Sequence, residues 1–60
     1  MISTQIKDNA GQEIFVNDMV ENQKTGHIGE VIYHSGAFWI NYFLKQELLI
    51  EENKKILKIL

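Results

Sequence analysis

Sixty residues with no Cys, no Pro and no Arg, six Lys against eight acidic residues, and a net charge of −2 set narrow limits. They allow one small domain over residues 1–60, and they exclude disulfide staples and a thiolate metal site. They argue against nucleic acid as a partner, because a grip on phosphates takes clustered Lys and Arg.

A chain this short buries only about 60% of its unfolded surface, so support from association is expected, either with itself as a homo-oligomer or with a partner. The opening Met1-Ile2-Ser3-Thr4-Gln5-Ile6-Lys7 is polar and lacks the apolar run of a signal peptide. No apolar stretch approaches the ~20 residues that span a bilayer. The expectation is a soluble, cytoplasmic protein with no membrane partner.

Lys7-Asp8-Asn9-Ala10-Gly11-Gln12-Glu13 reads as a turn, with Asp8 and Asn9 in turn positions and Gly11 in a left-handed one. Its likeness to a calcium loop is superficial, since the alternating oxygen ligands and distant bidentate Glu are missing. Glu13-Ile14-Phe15 is a short strand, Asn17-Asp18 punctuates the chain, and Met19-Val20-Glu21-Asn22 is the next strand. Gln23 to Gly26 make a polar loop, and His27 leads into the strongest signal, a hairpin over residues 29–43 turning at Ser35-Gly36.

A two-residue turn there sets His34 opposite Ala37, Tyr33 opposite Phe38, Ile32 opposite Trp39 and Val31 opposite Ile40. Side chains alternate with period two, so each face goes in or out as a unit. Val31, Tyr33, Phe38, Ile40 and Tyr42 form the expected core face. The other face carries Ile28, Glu30, Ile32, His34, Trp39, Asn41 and Phe43. Of these, Ile28, Ile32, His34, Trp39, Asn41 and Phe43 are the candidate partner-binding residues, because Trp and Phe anchor interfaces and contiguous exposed apolar patches are unusual on monomers. The competing expectation is that loops or the C-terminal strand cover them.

Glu47-Leu48-Leu49-Ile50 fits a strand or a helical turn, Glu51 to Lys55 a solvated turn, and Ile56-Leu57-Lys58-Ile59-Leu60 a last strand. A single helix from Leu44 to Leu60 fits less well, since its middle turn would be wholly polar. The fold expected is all-β, a small SH3-like barrel of about five short strands with room for one helical turn near the C-terminus.

Two stretches carry a family resemblance. Asp8-Asn9-Ala10-Gly11-Gln12-Glu13-Ile14-Phe15-Val16-Asn17-Asp18-Met19-Val20 resembles the Asp-x-x-Gly-x-x-Ile-Tyr-Glu-Gly-Asp-hydrophobic-Val signature of the YopX-like family of small phage and prophage proteins. Gly29-Glu30-Val31-Ile32-Tyr33-His34-Ser35-Gly36-Ala37-Phe38 resembles that family's hairpin, in the same order. Asn17 stands where the family has Gly, a tolerable change because Asn accepts left-handed geometry. The C-terminus lacks the family's Gly-Asn-Ile. Family members are often longer at the N-terminus, so this chain resembles the barrel alone. The resemblance implies an SH3-like fold and a phage or prophage origin, with the protein working in the cytoplasm of a bacterial host. It implies no activity, because the family has none established.

No enzyme is expected. Asp18 with Glu13 or Glu21 is the nearest thing to a catalytic carboxylate pair, but an Asp after a turn more often accepts backbone N–H groups. His27 and His34 fall at a strand entrance and a hairpin tip, both solvated. No cofactor or metal is implied. The function expected is a protein-binding module facing a host or phage protein. The alternatives are a KOW-type nucleic-acid binder, for which Lys24, Lys45, Lys54, Lys55 and Lys58 must converge, and a self-assembling structural component.

Overall fold

Alternating apolar and polar residues, cut by positive-φ positions, fold the chain into seven short strands: β1 (Ser3–Lys7), β2 (Glu13–Phe15), β3 (Met19–Asn22), β4 (Ile28–His34), β5 (Ala37–Tyr42), β6 (Gln46–Leu48) and β7 (Leu57–Ile59). A 3-10 turn, Glu51–Ile56, precedes β7. The structure is a computed structural model that describes the backbone throughout and every side chain except those of Asn53 and Lys54. The class is all-β, as expected. The larger antiparallel sheet has five strands in the order β6-β5-β4-β3-β7, and β1 and β2 add a separate two-stranded ribbon.

The hairpin register is the expected one, residue for residue: His34↔Ala37, Tyr33↔Phe38, Ile32↔Trp39 and Val31↔Ile40. Ser35 and Gly36 have φ of 52° and 78°, the signature of the type I′ turn whose twist suits the strands it joins. Asn17 at φ 80° also takes the left-handed geometry expected of it.

Both sheets close on one core of Ile14, Val20, Val31, Ile40, Tyr42, Leu49 and Leu57, with Ile6, Phe38, Ile56 and Ile59 packed against it. Tyr33 departs from the expected core face and is 57% exposed. The hairpin outruns its neighbour: β3 pairs only with Ile28, Gly29 and Glu30, so β3 does not extend alongside the tip. Tyr33 instead stands edge-on to Phe38, with ring centroids 5.3 Å apart.

β1 carries little sequence signal because its one fully buried residue is polar. Thr4 is buried, and its hydroxyl donates to the Ile14 carbonyl at 2.8 Å. Gln5 at φ 60° then bulges the strand and shifts its register against β2. The turn after β1 is fastened by Asp8. Its Oδ1 accepts the N–H groups of Ala10 and Gln12 at 2.9 and 2.8 Å, and its Oδ2 accepts that of Ile59 at 3.0 Å. The Asn9 N–H donates to the Leu57 carbonyl at 3.0 Å, so the turn lies along the outer edge of β7. That edge is covered rather than left as a template for another strand.

Candidate functional site

Pairing across β6, β5 and β4 puts Leu48, Trp39 and Ile32 in one row on the outer face of the large sheet. The next row on that face is Gln46, Asn41, Glu30 and Met19, and the one beyond it holds Ile28 and Glu21 with Lys58. Ile32 and Trp39 are half-buried, and Leu48 is 40% exposed. The Trp39 indole N–H donates to the His34 carbonyl at 2.9 Å, which lays the ring towards the hairpin tip and fixes its orientation. The result is an apolar strip across three strands, held by backbone pairing and bordered by polar residues.

The six expected partner-binding residues therefore separate. Ile32, Trp39 and His34 gather near the tip, and His34 is exposed there. Asn41 is exposed mid-face. Ile28 lies four residues along β4 from Ile32, roughly 13 Å away at strand rise. Phe43 departs from the expected face: β5 ends at Tyr42, and Phe43 sits beyond the ladder in the turn to β6.

That turn is closed by the Tyr42 N–H donating to the Lys45 carbonyl at 2.8 Å, so Phe43 and Leu44 form its tip. They are 95% and 88% exposed. Beside them Gly26, His27, Ile28 and Tyr42 complete an apolar groove of about 590 Å³, with Lys45 on its rim. Leu48 and Leu44 were missed as surface residues because the C-terminal third offered no register. Once β6 is paired to β5, Leu48 has to stand beside Trp39.

Beneath the groove, Tyr42 is buried and its hydroxyl accepts the Asn22 amide at 3.3 Å. Burial raises the Tyr42 pKa, the Asn22 hydrogen bond opposes this, and the nearby Glu47 charge adds to the rise. Asn22 is itself buried, and its Oδ1 accepts the N–H groups of Lys24 and Thr25 at 2.9 and 3.2 Å. These bonds order the β3–β4 loop that forms one wall of the groove. His27 meets the Tyr42 ring edge-on, with centroids 6.3 Å apart.

The residues weighed for catalysis are dispersed. Asp18 Oδ2 accepts the Phe15 N–H at 2.9 Å, the turn role expected of it. The Glu13 carboxylate takes a hydrogen bond from the Ser3 hydroxyl. Glu21 lies on the outer face opposite Ile28. His27 and His34 flank opposite ends of β4. The lysines are not dispersed in the same way: Lys24 in the β3–β4 loop, Lys45 in the β5–β6 turn, Lys55 in the 3-10 turn and Lys58 on β7 all fall towards the end of the large sheet where β3 and β5 finish and β4, β6 and β7 begin, while the Lys54 side chain lies outside the described residues. Among the described residues, no group of three His, Cys, Asp or Glu is placed to hold a metal ion, and no helix is long and apolar enough to cross a membrane. Compared with protein-family models, with curated proteins and with solved structures, the chain matches none.

Proposed function

We propose that the chain is a non-enzymatic protein-interaction module that presents the outer face of its large sheet to a protein partner. The observation that carries this is the Ile32–Trp39–Leu48 row, apolar and partly exposed on three hydrogen-bonded strands. Strand pairing presets the row, so little ordering entropy opposes docking. Half-buried aromatic and aliphatic anchors with a polar surround match the usual anatomy of a protein contact. The resemblance to YopX-like proteins supports a phage or prophage origin, a bacterial cytoplasm as the place of action, and a host or phage protein as the partner. The net charge of −2 and the lack of Arg favour a protein partner over nucleic acid.

Trp39 is the only tryptophan and reports directly on this face. Capture from a bacterial lysate followed by titration of the captured protein is expected to shift Trp39 emission. Leu48→Lys is expected to weaken binding at least about tenfold while leaving the circular dichroism intact. Equal capture by wild type and Leu48→Lys, or titration without any Trp39 response, contradicts the proposal. Oligonucleotide binding that weakens steeply with salt would restore the nucleic-acid alternative.

A further inference from the structure

The connections of the large sheet divide by charge. β3 and β5 finish at one end of the sheet, where β4, β6 and β7 begin. The connections there are residues 23–27, 43–45 and the close of the 3-10 turn. They carry exposed Lys24, Lys45 and Lys55 and, among their described residues, no acid. The Gln23 N–H donates to the Ile56 carbonyl at 2.7 Å, which brings the close of the 3-10 turn beside the loop that bears Lys24. At the opposite end, residues 16–18, the Ser35-Gly36 turn and the start of the 3-10 turn carry Asp18, Glu51 and Glu52 and no lysine. Glu21 and Glu47 come nearest the lysine end, but both lie within strands. Glu21 pairs with Lys58, and Glu47 stands opposite buried Ile40, near Tyr42.

The lysine end also carries an apolar tip. Turns normally present Gly, Asn, Asp or Ser, yet here Phe43 and Leu44 stand 95% and 88% in solvent. Lys45 follows them directly, and half-exposed Ile28 lines the groove beside them. An apolar wedge within a basic, acid-free rim is the pattern that lies on an anionic bilayer. Phe and Leu enter the acyl boundary, while Lys stems follow apolar surface and keep their ammonium groups among the headgroup phosphates. A single-stranded nucleic acid asks instead for a track of aromatic faces, and the neighbour of Phe43 at this tip is Leu44.

We propose that this end of the sheet docks on a membrane surface rich in anionic lipid. Phe43 and Leu44 enter the boundary between headgroups and acyl chains, and Lys24, Lys45 and Lys55 face the phosphates. Lying on a bilayer requires no spanning segment, so the expectation of no membrane partner, which rested on span length, concerned crossing alone. A single buried acyl chain already gives only marginal membrane binding, so two side chains and three lysines make a weak, reversible contact that depends on salt and lipid charge. The Trp39 row lies towards the other end of the strands and stays open to a protein partner.

Co-sedimentation of the full chain with vesicles of phosphatidylcholine and phosphatidylglycerol, against vesicles of phosphatidylcholine alone, tests it. Wild type is expected to pellet with the anionic vesicles at low salt and to stay in solution with the neutral ones. Phe43→Asp is expected to bind at least about tenfold more weakly, with an unchanged circular dichroism spectrum because the side chain lies outside the core. Lys24→Gln and Lys45→Gln are each expected to weaken binding about fivefold. Phe43→Trp is expected to gain blue-shifted emission on anionic vesicles, quenched by brominated acyl chains, a response that charge attraction alone does not produce. Wild type that stays in solution with anionic vesicles at low salt overturns the proposal. So does Phe43→Asp pelleting like wild type, or Phe43→Trp emission that the vesicles leave unchanged. Binding of a single-stranded oligonucleotide without vesicle binding, weakened in both lysine variants, also overturns it and assigns this end to nucleic acid. Leu48→Lys is expected to keep vesicle binding and Phe43→Asp to keep partner capture, so failure of this contact and failure of the sheet-face proposal are read separately.

Discussion

At the level of single residues, Asp8 shows how a turn residue becomes a structural fastener. The sequence marks it as a turn former. It does not show that the same carboxylate reaches the N–H of Ile59, 51 residues away. Burial disfavours the Asp8 carboxylate, but hydrogen bonds from Ile59, Gln12, Ala10 and Gly11 outweigh it, and the pKa falls below the ordinary Asp value. A folded-state pKa below the unfolded one means stability that is complete above about pH 4 and lost as pH drops through the folded value. Asp8→Asn keeps the two acceptor bonds to Oδ1 but turns an amide NH₂ towards the Ile59 N–H. It is expected to cost about 2–4 kcal/mol at neutral pH in denaturant melts. The gap from wild type is expected to narrow as pH falls below about 4, whereas a constant gap would show that the charge is irrelevant. Gly29 is a second such position. A Cβ there would lie 2.7 Å from Ile40 Cγ2 and 2.9 Å from Tyr42 Cδ1, both buried. Gly29→Ala is therefore expected to lower stability by about 1–3 kcal/mol, measured in the same melts.

Among the elements, the β4–β5 hairpin was the most legible because its information is local. Turn chemistry and period-two alternation act over adjacent residues, so they fixed the pairing of Ile32 with Trp39 and of Val31 with Ile40. What they could not fix is what lies underneath. Tyr33 has the parity of a core residue and yet is exposed, because β3 ends short of the tip. The same limit hid β1, where Thr4 faces inward and the bulge at Gln5 breaks the alternation. It also hid Leu48, whose place beside Trp39 depends on a β5–β6 register that a Phe-Leu turn does not announce. The candidate site was legible to the same extent: its Trp39–Ile32 centre follows from the hairpin, and its Leu48 border and the Phe43-Leu44 groove follow from tertiary pairing. The turn itself is open to improvement. Ser35 holds φ 52°, a conformation that Asn tolerates better than Ser. Ser35→Asn is expected to stabilise by about 0.5 kcal/mol, and Gly36→Ala, at φ 78°, to destabilise by about 1 kcal/mol. Opposite signs at adjacent positions are the test, since a floppy tip would make both changes neutral.

For the whole molecule, size governs. Seven buried apolar residues and no disulfide leave a 60-residue chain with modest stability of its own. Anything that binds only the folded form adds to that stability by mass action, and a second copy is such a ligand. For a self-association with a dissociation constant of about 50 μM, raising the concentration from about 10 μM to about 1 mM would stabilise the fold by about 1 kcal/mol. The entropy of unfolding scales with length, so in a domain this small that increment raises the melting temperature by roughly 4–8 °C. Differential scanning calorimetry at the two concentrations is expected to show the rise for wild type. A concentration-independent wild type would mean that the fold stands by its core alone.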